Sequence, residues 1–306
     1  MKRRIFLEAL LSGSVGAALS GCSFPLFSQP AYASYSSGNK QKVLLIGIDG
    51  VRPDALYAAR TPHLDHLVVQ GCYSDVAQAG KFTVSAPGWS NILCGVWEDK
   101  HGVTDNALLY HHLQAYPSIF TRLEQLHPEL YTASLVSWKT IHDHIIPVAD
   151  KRKTYHDMRG DWKVMKEAIY TLTHEDPDLL FAYFGDADLI GHNYGFHPAV
   201  SRYRKEIEDI DKQVGYILQA LQNRPTYASE DWLIICTTDH GGRMAGHGDN
   251  VPEDRTIFYI VSGPSALRGR LAGVPQQVDV VPTILQHLRI APDPAWGLEG
   301  KVCGLR

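Results

Sequence analysis

Short continuous apolar runs alternate along the chain with longer stretches in which apolar residues recur at helical spacing. Residues 42–48 read K-V-L-L-I-G-I, residues 179–184 read L-L-F-A-Y-F, and residues 233–236 read L-I-I-C. Runs without polar interruption are the pattern of strands buried on both faces of a parallel sheet, where helices cover either side. Residues 131–138 and 256–261 are two further predicted strands. Pro53 and Asp54 open one helix and Thr61-Pro62 another, since proline fits a first turn whose N–H has no partner anyway. Residues 116–126 and 161–173 also carry helical spacing. Residues 202–221 form an amphipathic helix with Ile207, Ile210, Val214, Ile217, Leu218 and Leu221 on one side, and 279–288 is the last helix. Strands alternating with helices predict an α/β fold. The expected form is a doubly wound, mostly parallel sheet flanked by helices, with its site along the carboxyl edge. No repeat or composition break divides the chain after residue 40, so residues 42–306 are read as a single domain.

Three of the apolar runs lead into residues that carry chemistry. The first ends at Asp49-Gly50, and the second runs into G-D-A-D-L-I-G-H, which contains Asp188 and His192. Their spacing of four puts both side chains on one side of a helical turn. The third leads through Thr237-Thr238 to Asp239-His240-Gly241-Gly242, with His247 seven residues past His240. Each piece has a plainer reading: Asp49 as a helix cap, Asp-His-Gly-Gly as a polar turn. Together they supply three carboxylates and three imidazoles, which divide into two sets of three. Carboxylate with imidazole and no thiolate suits zinc, with manganese or iron also accommodated, whereas calcium prefers an all-oxygen shell. Two such ions ~3.5–4 Å apart clamp the attacking and leaving oxygens of an in-line displacement.

Ser85 precedes Pro87 by two residues, which suits a helix running to about Cys94 with Ser85 at its N-cap. Free N–H groups and the positive helix end favour an anion there, although capping alone explains most serines in that position. Asn106 follows 21 residues later. Lys139 comes after the 131–138 strand, and His142, Asp143 and His144 follow on what reads as a solvated loop.

In this order the motifs resemble the alkaline phosphatase superfamily, nearest its nucleotide pyrophosphatase/phosphodiesterase branch and bacterial alkaline-phosphatase-like proteins. The resemblance covers roughly residues 42–290. It implies that Asp49, Asp239 and His240 hold one metal, with Ser85 bridging or beside it as nucleophile. Asp188, His192 and His247 would hold the other. Ser85 in S-x-P matches the family's nucleophile, Asn106 an asparagine that binds a non-bridging phosphoryl oxygen, and residues 278–283 the start of a closing helix. The implied reaction is hydrolysis of a phosphate ester through a covalent phosphoserine. Metal coordination makes the serine hydroxyl ionisable, and Asn106 with the helix N-terminus at Ala86 holds the remaining oxygens. Sulfatases of the superfamily use Cys/Ser-x-P-x-Arg, but Trp89 stands at that fifth position. Lys139 resembles a lysine of the phosphomonoesterases, while Ile141 replaces the arginine expected beside it, which tilts the reading towards diesters. The competing readings are a sulfatase-like hydrolase and a non-catalytic, lipid-anchored metal-binding module.

Composition narrows the partners. Among 306 residues the formal net charge is -4, which argues against a nucleic-acid partner held by phosphate neutralisation, while the resemblance implies a small phosphate ester as substrate. Residues 1–33 read as an export signal. Arg3-Arg4-Ile5-Phe6-Leu7 resembles a twin-arginine signal, and Leu19-Ser20-Gly21-Cys22 resembles a lipobox that would lipidate Cys22. Ala31-Tyr32-Ala33 offers a competing cleavage site, and residues 34–41 form a tether. The expected location is the periplasm, or a lipid anchor at the bacterial cell envelope with no other membrane contact. Cys72, Cys94, Cys236 and Cys303 permit disulfides there without revealing a pairing, and Cys236 reads as a small buried apolar residue.

Overall fold

The computed structural model describes residues 40–155 and 160–306. The export signal, Cys22 and residues 34–39 of the tether lie outside the described residues. The strands are β1 (Lys40–Ile48), β2 (Gly71–Gln78), β3 (Thr132–Val136), β4 (Lys151–Thr154), β5 (Leu179–Phe184), β6 (Glu230–Thr237), β7 (Thr256–Ser262) and β8 (Gly269–Arg270). The first five helices are α1 (Pro53–Ala58), α2 (Pro62–Val69), α3 (Ser85–Cys94), α4 (Glu98–His101) and α5 (Ile119–Leu126). The rest are α6 (Gly160–His174), α7 (Asp186–Tyr194), α8 (Ser201–Gln222), α9 (Pro252–Arg255) and α10 (Val280–His287).

The strands form one sheet in the order β4-β3-β5-β1-β6-β7-β2-β8. All pairings are parallel except those of β7, which runs antiparallel to both β6 and β2. The sheet is therefore mixed and mostly parallel. Alternate residues of the central strands feed opposite cores, as a period of two requires. Val43 and Leu45 join Phe181, Leu233, Trp89, Phe120 and Ile284 on one face. Leu44 and Ile46 join Leu180, Ile234, Val164, Ile210 and Val214 on the other. The stripe foreseen on α8 is buried, and each such side chain contributes roughly 1.5–3 kcal/mol relative to exposure.

Three strands escape the sequence reading for one reason. β2 is interrupted by the polar pair Ser74-Asp75, β4 reads K-R-K-T, and β8 is two residues long, so none carries an apolar run. Their partners make them strands: β3 supplies the ladder to β4, and charged residues suit an edge. Lys40 and Gln41, assigned to the tether, instead begin β1, because Glu230 and Asp231 of β6 pair with them. The four described cysteines are free and buried. Among the described residues no helix is long and apolar enough to cross a membrane.

Candidate active site

β5, β1 and β6 are neighbours and parallel, so their carboxyl ends open at one place. Asp49 directly follows β1, Asp239 and His240 lie just past β6, and α7 springs from β5 carrying Asp188 and His192. Asp49 is no helix cap, since Arg52 fills that position for α1. Gly50 adopts φ +65, and a Cβ there would lie 2.6 Å from an Asp188 carboxylate oxygen, so only glycine lets the chain turn beneath α7.

Two groups of potential ligand atoms result, each with its atoms within 4.8 Å of one another: Asp49, Asp239 and His240, and Asp188, His240 and His247. His240 Nε2 lies 3.2 Å from Asp239 Oδ2 and 3.5 Å from Asp49 Oδ1. His192 joins the second group, with Nε2 2.9 Å from His247 Nε2 and 3.4 Å from Asp188 Oδ2. His247 Nε2 is 3.4 Å from Asp188 Oδ1, and its ring stacks on His240 with centroids 3.8 Å apart. All six residues foreseen as ligands thus converge. The first set is fully buried, whereas His192 stands at the mouth.

Orientation is set by neighbouring hydrogen bonds. His240 Nδ1 faces the Gly241 carbonyl at 2.8 Å, His247 Nδ1 that of Thr83 at 2.7 Å, and His192 Nδ1 that of Ala245 at 3.0 Å. With each Nδ1 proton donated to a carbonyl, every Nε2 presents a lone pair inward, as metal-binding histidines do. The carboxylates are equally one-sided. Asp49 Oδ2 accepts from Tyr183 Oη at 2.5 Å and Trp89 Nε1 at 2.9 Å, and Asp239 Oδ1 accepts from the Gly50 N–H at 3.1 Å. Asp49 Oδ1, Asp239 Oδ2 and Asp188 Oδ1 are buried without a hydrogen-bond partner. Burial, then the neighbouring carboxylates, push Asp239 and Asp188 well above the ordinary carboxylate range. Burial and the His240 ring hold His247 down at about 3. Three orphaned carboxylate oxygens beside three imidazole Nε2 atoms want positive charge, and that donor set fits divalent ions.

Ser85 is buried, with Oγ 3.5 Å from His240 Nε2. Two expectations need correction here. Ser85 is the first residue of α3 and Val84 the N-cap, because Ser85 already has helical geometry. The Ala86 N–H is also not free: it donates to Asn106 Oδ1 at 2.8 Å, which turns the Asn106 NH₂ outward as the available donor. Lys139 is exposed and ion-paired with Asp143. His142, expected in solvent, is buried between Thr154 Oγ1 at 2.7 Å and Ser134 Oγ at 2.9 Å. Burial holds it neutral, down at about 4.

Trp89 and Tyr183, the donors to Asp49, escaped the sequence reading. The alternation of β5 places Phe181 and Tyr183 on the same face as Trp89, which is the signal that could have found them. Asp161, from the first turn of α6, accepts from the Gly185 and Asp186 N–H groups at 2.9 Å each and so fixes the start of α7.

The family model for type I phosphodiesterase / nucleotide pyrophosphatase matches residues 43–143 and 131–258. This chain belongs to that family. Ectonucleotide pyrophosphatase/phosphodiesterase family member 5 of Homo sapiens is 26% identical over 227 residues, covering 66% of this chain and 45% of the relative. The bis(5'-adenosyl)-triphosphatase ENPP4 of Homo sapiens is 24% identical over 227 residues, covering 67% and 48%. The chain spans about half the length of the curated relatives it matches. The structure of murine family member 5, an inactive form in complex with AMP, superposes with a TM-score of 0.69 at 16% identity, covering 83% of this chain and 96% of that one. A 2-O GAG sulfatase gives 0.69 at 14% identity, covering 86% and 73%. The fold of this family member is alkaline-phosphatase-like, with the mixed sheet these neighbours share.

Proposed function

We propose that the domain hydrolyses phosphate esters, diesters and pyrophosphates first, at a two-metal centre with Ser85 as nucleophile. The observation that carries this reading is the set of three strand-end carboxylates, each with a buried unpartnered oxygen, facing three imidazole Nε2 atoms beside Ser85 Oγ. Asp49, Asp239 and His240 would hold one divalent ion, and Asp188, His192 and His247 the other. Zinc suits the donors, with manganese or iron as substitutes. Bound there, the ions supply Lewis acidity that ionises a hydroxyl near neutral pH and steadies oxygen charge on both sides of phosphorus.

The rest falls to the chain itself. Ser85 Oγ attacks phosphorus in line, the bond to the leaving oxygen breaks, and a phosphoserine forms that water then hydrolyses to restore the hydroxyl. The Asn106 NH₂, aimed by its bond to Ala86, donates to a non-bridging oxygen as charge grows there. The start of α3 adds its positive end to the same oxygens. The Lys139 charge is engaged by Asp143, which supports a diester preference, because a diester carries one charge less than a monoester. A sulfatase reading gains nothing from Trp89, which is committed to Asp49. Nucleotide diesters are the first substrates to try, given the AMP in the murine relative.

The test is turnover of bis-p-nitrophenyl phosphate, p-nitrophenyl phosphate and p-nitrophenyl sulfate by the parent and Ser85→Ala on one preparation with measured metal content. The diester should react fastest, and Ser85→Ala should lose on the order of 10³-fold or more with metal retained. Parent-like rates in Ser85→Ala would remove Ser85 from the mechanism. Two bound ions with no turnover of any ester would leave the binding module.

Export of the chain and lipidation at Cys22 belong to the same proposal, on the strength of the N-terminal motifs. Cys22→Ala should move the protein from the membrane to the soluble envelope fraction, and unchanged fractionation would argue against the anchor.

A further inference from the structure

We infer that Trp89 and Tyr183 are positioning residues that hold Asp49 to one-oxygen ligation and thereby bias the deeper site towards zinc over larger ions; this rests on the two-metal reading above. Asp49 is clamped unlike its neighbours. Two side-chain donors, Tyr183 Oη at 2.5 Å and Trp89 Nε1 at 2.9 Å, converge on its Oδ2. Asp239 is held through Oδ1 by one backbone N–H at 3.1 Å. Two donors occupy the lone pairs of Asp49 Oδ2, so Oδ1, buried and without a partner, is the atom left for an ion.

The clamp is rigid. Trp89 is fully buried, and its indole lies so close over Gly47 that a Cβ there would meet Cη2 at 2.4 Å. Its ring meets Tyr183 edge-on with centroids 5.1 Å apart and Phe181 at 5.8 Å, while Trp138 stacks on Tyr183 at 6.5 Å. Ser85 and Trp89 are four apart on α3, so one helix carries both the nucleophile and half of the clamp.

The consequence is selectivity. A carboxylate restricted to one oxygen, beside another carboxylate and an imidazole, suits the low coordination number of zinc. A carboxylate free to swing into two-oxygen contact suits ions with larger oxygen shells, such as manganese or calcium. The indole at the fifth position of S-x-P-x-W thus has a specific task, and Tyr183 shares it.

The experiment is competition with a chromophoric chelator, using Zn²⁺ and then Mn²⁺, on stripped parent, Tyr183→Phe and Trp89→Phe. Each variant should weaken zinc 10–100-fold at one of the two sites, which is the usual cost of losing an outer partner of a metal ligand. Manganese affinity should hold or rise, so the zinc-to-manganese ratio falls at least about tenfold, while the other site stays within about twofold. Equal weakening at both sites, or a zinc change under about threefold in folded Tyr183→Phe, overturns the inference. A parent that binds no divalent ion removes the two-metal reading and the inference with it. Tyr183→Phe keeps the ring, so it decides the matter even if Trp89→Phe fails to fold.

Discussion

The two ends of one sheet treat charge in opposite ways. At the amino edge, Lys42 is fully buried yet donates to the Pro177 carbonyl at 2.9 Å and pairs with Asp176 at 2.8 Å and Asp178 at 3.2 Å. Beside it, Arg224 grips both oxygens of Glu230 at 3.0 and 2.8 Å, and Trp232 Nε1 donates to Glu230 at 2.7 Å. At the carboxyl edge, buried carboxylates face the His240 and His247 imidazoles, which burial disfavours as cations, and three oxygens have no partner. Both edges pack ionisable groups between the same strands, but the cations at the amino edge, Lys42 and Arg224, are balanced by carboxylates of the chain itself. A balanced network reads as structure, whereas a buried deficit of positive charge reads as a place where something else must bind.

The largest test of this contrast lies at the balanced edge. Asp178→Ala removes the buried carboxylate of the two that pair with Lys42 and leaves the Tyr131 N–H, which donates to Asp178 at 3.0 Å, without its acceptor. It should cost about 3 kcal/mol, read as a lower urea midpoint at unchanged slope. A loss under about 1 kcal/mol would mean the network is dispensable and the contrast empty.

A second test is pH, where the two edges should respond with opposite sign. Burial opposes ionisation of Asp176, but the Lys42 and Lys40 ammonium groups hold its carboxyl down at about 2. Its contribution to stability is therefore present above about pH 4 and lost as pH falls through about 2. Burial and then Asp186 lift Asp161, at the root of α7, up to about 7. Its contribution is present below about pH 4 and lost as pH rises through about 7. Melting curves of stripped protein should therefore show a loss as pH rises from about 4 to about 7 that Asp161→Asn abolishes. If Asp161→Asn leaves that limb unchanged, the charge deficit does not extend to α7.

The smallest effect should come from Lys139, which follows β3 at the carboxyl edge but is exposed and already paired with Asp143. Lys139→Ala should shift stability by less than about 0.5 kcal/mol, which would show that burial rather than location makes the contrast. It should slow monoester turnover more than diester turnover, and equal losses would take Lys139 out of the specificity argument.

The candidate ligand carboxylates were legible because each lies at or a few residues past the end of an apolar run. In a parallel sheet, strand ends of adjacent strands meet, so Asp49, Asp188 and Asp239 could be gathered before any contact was known. β5 was found to the residue, because L-L-F-A-Y-F needs no partner to identify it. β4 was invisible because K-R-K-T becomes a strand only when β3 lies alongside, and the reversed direction of β7 leaves no mark on a period of two. Ser85 was read one position too far out, since backbone angles around a proline-led turn separate a cap from a first helical residue and residue type does not.

The sequence by itself determined which side chains this protein brings to its site and the α/β scaffold that presents them, because burial and strand-end chemistry are written in local composition. Only the tertiary structure decided how those groups are aimed: which nitrogen of each histidine faces inward, which oxygen of Asp49 is tied to Trp89 and Tyr183, and where the Asn106 amide points. These are hydrogen bonds between residues up to 164 positions apart in the chain, and no local pattern of residue types specifies them.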